Sequence, residues 1–161
     1  MFEAIAVLFT AFIFIAIFLL GIGIILHILL GFALLHLAER EGIPNGWLGF
    51  VPLANLYIMG AIAQKQSKAS WKEYVPWALP GIVAASFVLG FLPLIGELIF
   101  IATPVVYGYI LYLIFERYSS QAVLFLVLSF ISFGFLAPIF IFVIRNNERL
   151  TPKDINQMNR A

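Results

Sequence analysis

The sequence contains no cysteine, a single aspartate (Asp154), and charged residues at only 11% of its 161 positions. Without cysteine there is no disulfide framework, no thiolate nucleophile, no thiolate-held zinc or iron–sulfur centre and no S-acylation. One aspartate in the C-terminal tail excludes an intramembrane aspartyl dyad. A formal charge of +1 excludes a nucleic-acid binder driven by net charge. A soluble domain carries about 25% charged and about 45–50% apolar residues. Here 63% are hydrophobic, so the charges are too few to coat a surface facing water, and composition argues for an integral membrane protein. The same apolar excess excludes disorder and a coiled coil.

Catalytic signatures are also missing. There is no G-x-S-x-G elbow, P-loop, dinucleotide fingerprint or His-Glu metalloprotease pair. His27 and His36 fall on roughly opposite sides of one helix at about 100° per residue, so they cannot share a metal. No cofactor, metal or enzymatic activity is expected.

What is present is a series of charge-free runs. A membrane span needs about 20 mostly apolar residues. The first run, Ala4 to Ala38, predicts one helix on the order of 50 Å long, with Gly21, Gly23 and Gly31 as bend or close-packing points. It is read as a span and not as a secretory signal, because no basic region precedes it and the run is far too long. Further spans are expected at about 74–91, 97–115 and 121–144. The second opens with Ser70-Trp71-Lys72-Glu73, which has capping-box spacing, and with Trp71, Tyr74 and Trp77 as an interfacial aromatic belt. Pro76, Pro80, Pro104 and Pro138 fall inside the spans as kinks, and Leu92 to Gly96 reads as a tight turn. Residues 146–161 form a polar tail, in which Thr151-Pro152-Lys153-Asp154 is a possible helix cap.

Residues 42–64 are also charge-free but contain Pro44, Asn45, Pro52, Asn55 and several glycines. They predict a turn at Gly42–Gly46, an apolar patch with Trp47 and Phe50, and a short helix from Pro52. Such a broken segment lies in the interface or dips into protein-lined membrane. The fold class is therefore all-α. It is a polytopic transmembrane bundle of four spans plus a re-entrant or interfacial elbow, in one domain over residues 1–145. Lys and Arg do not fix its orientation. With four spans, Arg40, Lys65, Lys68, Lys72 and Arg117 lie opposite Arg145, Arg149, Lys153 and Arg160; a fifth span at 46–64 redistributes them equally evenly.

The segment Glu41 to Tyr57 is the most patterned part of the chain. Gly42, Pro44 and Trp47, followed by Pro52, Asn55 and Tyr57, make a G-x-P-x-x-W and then a V-P-x-x-N-x-Y motif. It resembles a segment of small polytopic bacterial membrane proteins that share a long first helix and later hydrophobic helices. The similarity covers residues 34 to 80. It implies a bacterial membrane origin, and it implies no reaction and no catalytic residue. Physically, Pro44 and Gly46 reverse the chain, Trp47 anchors at the headgroups, Pro52 starts a helix, and Asn55 bonds unpaired backbone near that start. The alternative is that Asn55 and Tyr57 line a polar pocket or a docking face.

His27 is the one ionisable side chain well inside an apolar run. Intramembrane ionisable groups are functional candidates. His27 also shares a face with Gly23 and Gly31, where close helix approach and a cross-helix hydrogen bond would make it structural. His36 and Arg40, one turn apart, mark the helix leaving the bilayer. Glu97 follows the turn at Pro93–Gly96, where a helix N-terminus favours a carboxylate; the other reading is a protonatable group in a transport path. Ser129 and Ser132 are expected to bond helix carbonyls or a neighbouring helix. These features point to a non-enzymatic, multi-pass cell-membrane subunit. It would meet lipid and pack against another membrane protein or a second copy of itself, with no role for nucleic acid. The second reading is a small homo-oligomeric channel or transporter lined by His27, Asn55, Tyr57 and Glu97.

Overall fold

A chain this apolar must satisfy its backbone polar groups internally, and helices do so within one segment. The computed structural model describes residues 2–150, and among these every regular element is helical. The first, α1 (Phe2–Glu41), is one unbroken helix about 60 Å long at 1.5 Å per residue. Gly21, Gly23 and Gly31 do not interrupt it. Gly42 ends it with a left-handed φ of 65°, and the Ile43 N–H reaches back to the Ala38 carbonyl at 2.9 Å. A residue without Cβ adopts this capping conformation at least cost.

After a second left-handed residue, Asn45, a 3₁₀ turn at Gly46–Phe50 runs back along α1. Gly46 lies against Ala38 and Leu35, and Gly49 against Leu34 and the Gly31 carbonyl. Phe50 sits on Gly31, where any Cβ would overlap its ring, and meets Phe32 edge-on at 4.9 Å. The chain then reverses at Leu53 (φ 69°), and α2 (Ala54–Gln64) returns toward the C-terminal end of α1. Residues 42–64 thus enter and leave at one end as a hairpin. Pro52 stands in the turn, two residues before the helix, and does not start it; the left-handed Leu53 separates the two.

Helix α3 (Val75–Leu89) packs against α2. It begins after a short 3₁₀ turn, Lys72–Tyr74, and no side chain caps it, so the Ser70–Glu73 spacing does not act as a cap. At Leu94 (φ 65°) the chain turns tightly, with the Ile95 N–H donating to the Pro93 carbonyl at 2.8 Å. Helix α4 (Ile95–Tyr118) follows. Leu53 and Leu94 each follow a proline and each immediately precede a helix.

The expected span at 121–144 is broken in two. Helix α5 (Ala122–Ile131) ends where Phe133 and Gly134 take φ values of 51° and 88°, and α6 (Ala137–Ile144) folds back on it. Phe125 and Phe140 stack at 4.6 Å across this second hairpin, and Phe115 of α4 meets both rings edge-on. Ser132 holds the reversal: its hydroxyl donates to the Ser129 carbonyl and accepts the Leu136 N–H.

Two helices, Ile5–Glu41 and Ile95–Tyr118, are long and apolar enough to cross a membrane. They coincide with the spans expected at 4–38 and 97–115. The region 74–91 holds a helix of 15 residues, and 121–144 holds the second hairpin. The core joins Leu34 and Leu37 of α1 to Ile58 and Ile62 of α2, Ile110 and Ile114 of α4, and Ile141 of α6. The expected cap at 151–154 lies outside the described residues.

Helices α2 and α3 meet backbone to backbone at Gly60, where a Cβ would lie 2.6 Å from both the Pro76 Cα and the Val75 carbonyl oxygen. Both are backbone atoms that cannot rotate aside. Gly60→Ala is expected to lower stability by about 1–3 kcal/mol, read as unfolding in mild detergent. Gly21→Ala, with nothing within 4 Å of the new Cβ, is the matched control and should be neutral or stabilising.

Candidate functional site

The polar side chains of the bundle gather at one end, where α1, α2, α4 and α6 all finish. Its centre is Glu41, whose side chain is only 3% exposed. Arg117 of α4 grips this carboxylate with two parallel bonds, Nε to Oε1 at 2.9 Å and Nη2 to Oε2 at 2.8 Å. This fork geometry is the strongest form of the ion pair. The Tyr118 hydroxyl donates to the same Oε1, and Arg149 approaches it at 3.0 Å. Oε1 thus accepts from three donors and Oε2 from one, so the carboxylate ties α1 to α4 and to the segment after α6.

Other bonds extend the cluster to each neighbouring element. Arg117 Nη1 donates to the Lys65 carbonyl after α2 at 3.2 Å. Arg40 donates to the carbonyls of Arg145 and Asn147 after α6. Asn147 Nδ2 returns a bond to the Tyr118 carbonyl at 2.9 Å, and the Leu150 N–H donates to the Arg117 carbonyl at 2.9 Å. Beside it, Glu116 accepts from Tyr112 at 3.0 Å and from Gln66 at 3.2 Å. All seven basic residues within the described part (Arg40, Lys65, Lys68, Lys72, Arg117, Arg145 and Arg149) lie on this end or on the loop that closes it. The acidic residues away from it are Glu3, at the start of α1, and Glu97, in the first turn of α4.

The residues singled out in the sequence are dispersed. The His27 Nε2 lies 2.8 Å from the Phe50 carbonyl oxygen and fastens the tip of the first hairpin to α1. Asn55 is buried in the first turn of α2, and its backbone N–H donates to the Val51 carbonyl. The Tyr57 ring rests on Trp77 at 4.8 Å. Glu97 is exposed beside the α3–α4 turn, and no hydrogen bond joins it to these three among the described residues. The charged end is therefore not assembled from any of the four. Gly31 is a close-packing point, whereas Gly23 faces open space. The Ser129 hydroxyl bonds the Phe125 carbonyl at 2.7 Å within its own helix. Gly42 and Pro44 form the turn after α1, and Trp47 stays 58% exposed.

No family model, curated protein or solved structure matches the chain. The site is therefore read from its own geometry. Among the described residues no three His, Asp or Glu side chains converge as a metal set. Sequence reasoning overlooked Glu41, Arg117, Tyr118 and Arg149. Their one signal was position: each stands just beyond the end of a charge-free run.

Glu41→Gln keeps the shape of the side chain but leaves Arg117, itself only 15% exposed, without its counter-charge. Removing one partner of a buried pair costs about 3 kcal/mol, and that loss is expected in the unfolding free energy in detergent. Arg149 is half-exposed, so Arg149→Gln should cost less than about 1 kcal/mol. Equal losses would refute the central role assigned to the Glu41–Arg117 fork.

Proposed function

We propose that the chain is a multi-pass protein of a bacterial cell membrane and serves there as a non-enzymatic subunit that docks on another membrane protein. The observation that carries this reading is the N-terminal part of α1. From Phe2 to Ile25 its large apolar side chains are exposed on every side, for example Phe2 at 85% and Phe18 at 69%. Gly21 and Gly23, about 200° apart around the helix, leave bare backbone on two opposite sides of this rod, each open to a close neighbour. The segment is about 36 Å long, enough to cross a hydrocarbon core of ~30 Å, and a helix apolar all round belongs in lipid or against another apolar helix.

The charge distribution supports an orientation. A single end carrying all the described basic residues is the cytoplasmic end under the positive-inside rule. The chain then crosses at α1, returns along α3 and crosses again at α4. Residues 42–64 and 122–144 act as hairpins that enter from the cytoplasmic side and go back. Non-helical turns at their exposed tips are tolerable because local bonds satisfy the backbone: the Ser132 hydroxyl accepts the Leu136 N–H at the second tip, and the Val51 N–H donates to the Leu48 carbonyl at the first. The fastening of His27 to Phe50 fits a structural role for that histidine. A channel or transporter reading gains no support from His27, Asn55, Tyr57 and Glu97, which do not converge.

Orientation is tested by single cysteines in a chain that has none of its own. Cysteines at Lys68 and Glu148 should be labelled from the same side, and one at Glu97 from the other. Opposite labelling of Lys68 and Glu148 would restore the four-span arrangement. The subunit role is tested by purifying the protein from native membranes in mild detergent and weighing intact complexes. A second polypeptide at fixed stoichiometry is expected. Gly21→Leu with Gly23→Leu should release it without lowering stability, since a Cβ at either position meets no atom of its own chain within 4 Å. A complex containing only copies of this chain would overturn the reading.

A further inference from the structure

The surface between α1 and α6 holds an open groove with a cavity of about 590 Å³. Its walls are apolar, formed by residues such as Ile25, Phe32 and Phe142, and its cytoplasmic mouth is polar, formed by His36, Glu39 and Arg145. From Ile25 to Glu39 it runs about 21 Å along α1. That is close to half of the ~40–45 Å spanned by a bilayer with its headgroups, so the groove is as deep as one leaflet.

The mouth is built and not merely exposed. The Arg145 guanidinium lies over the Phe142 ring, 3.5 Å from its centroid, and is tied back to the Phe142 carbonyl by Nη1 at 2.6 Å. Its backbone is held by Arg40. These contacts fix the guanidinium above the apolar trough, and among the described residues its remaining N–H donors have no partner. His36 and Glu39, one turn apart on α1, complete the rim, and Glu39 is exposed there. The rim thus offers one fixed cation and one carboxylate on the same groove.

We propose that this groove binds one membrane phospholipid whose headgroup carries both a phosphate diester and a primary ammonium, as in phosphatidylethanolamine. The proposal rests on the membrane reading above. Arg145 takes the phosphate, for which a planar donor fork is suited. Glu39 takes the ammonium, and one acyl chain lies along the trough against Phe32 and Phe142. A headgroup with a net negative charge would satisfy Arg145 but set its excess charge against Glu39. A quaternary choline would leave Glu39 without a hydrogen-bond donor.

The test is native mass measurement of the whole protein from mild detergent, titrated with phosphatidylethanolamine, phosphatidylglycerol and phosphatidylcholine of matched chains. One phosphatidylethanolamine should be retained about tenfold more tightly than either of the others, the effect of one charge-assisted hydrogen bond. Glu39→Gln should erase that preference while phospholipid is still retained. Arg145→Gln should lower retention of all three; both residues are at the surface, and unfolding curves check that the variants fold. Equal retention of the three lipids, or preference for phosphatidylglycerol, overturns the site. So does loss of all lipid from a protein that alkaline carbonate fails to strip from membranes, and in that case the membrane reading survives. Release by carbonate overturns both.

Discussion

The arrangement depends on the need to neutralise one carboxylate. Glu41 is carried to the end of a 40-residue apolar helix and is almost fully enclosed by its neighbours. A buried charge is tolerated only when it is paired and hydrogen-bonded. Arg117 and Tyr118 meet that demand from α4, and Arg149 from beyond α6. Because Arg117 also reaches the end of α2, four elements must finish at one level for the cluster to close. The direction of each helix, and the return of both hairpins to the same end, are compatible with that closure and few alternatives are.

A second constraint acts at the opposite tips. A chain that reverses within a few residues among packed helices needs backbone shapes that L-residues seldom adopt. Leu53, Leu94 and Phe133 all take left-handed φ values although none is a glycine. Such conformations cost of order 1–3 kcal/mol each and persist only where the surroundings over-determine them. At Phe133 the hydroxyl of Ser132, bonded to the Ser129 carbonyl and the Leu136 N–H, supplies part of that determination; at Leu94 the Gly96 N–H bonds the Leu92 carbonyl across the turn at 2.9 Å.

Much of the helical layout was legible from hydropathy. The runs ending at Ala38 and Phe115 read as helices from their length and hydropathy, and neither the glycines of the first nor Pro104 of the second breaks its helix. The elbow at 42–64 was visible because Pro44, Pro52 and Gly42 punctuate it. The charged end was not legible, since Glu41 and Arg117 lie 76 residues apart and neither sits in a motif. The second hairpin was misjudged for a different reason. Residues 122–144 are apolar throughout, and hydropathy records how much of a segment prefers lipid but not whether it continues forward or doubles back. The polar clue, Ser129 with Ser132 ahead of Gly134, reads equally well as helix packing. His27 was legible as an unusual residue, but its partner is a backbone carbonyl, which no side-chain pattern announces.

That second hairpin has a consequence for counting. As one straight helix, residues 122–144 would measure about 35 Å, sufficient to traverse the bilayer core. Folded at Phe133 and Gly134, they end where they began. Within the membrane reading proposed above, these two consecutive backbone dihedrals set the side on which residues 145–150 emerge.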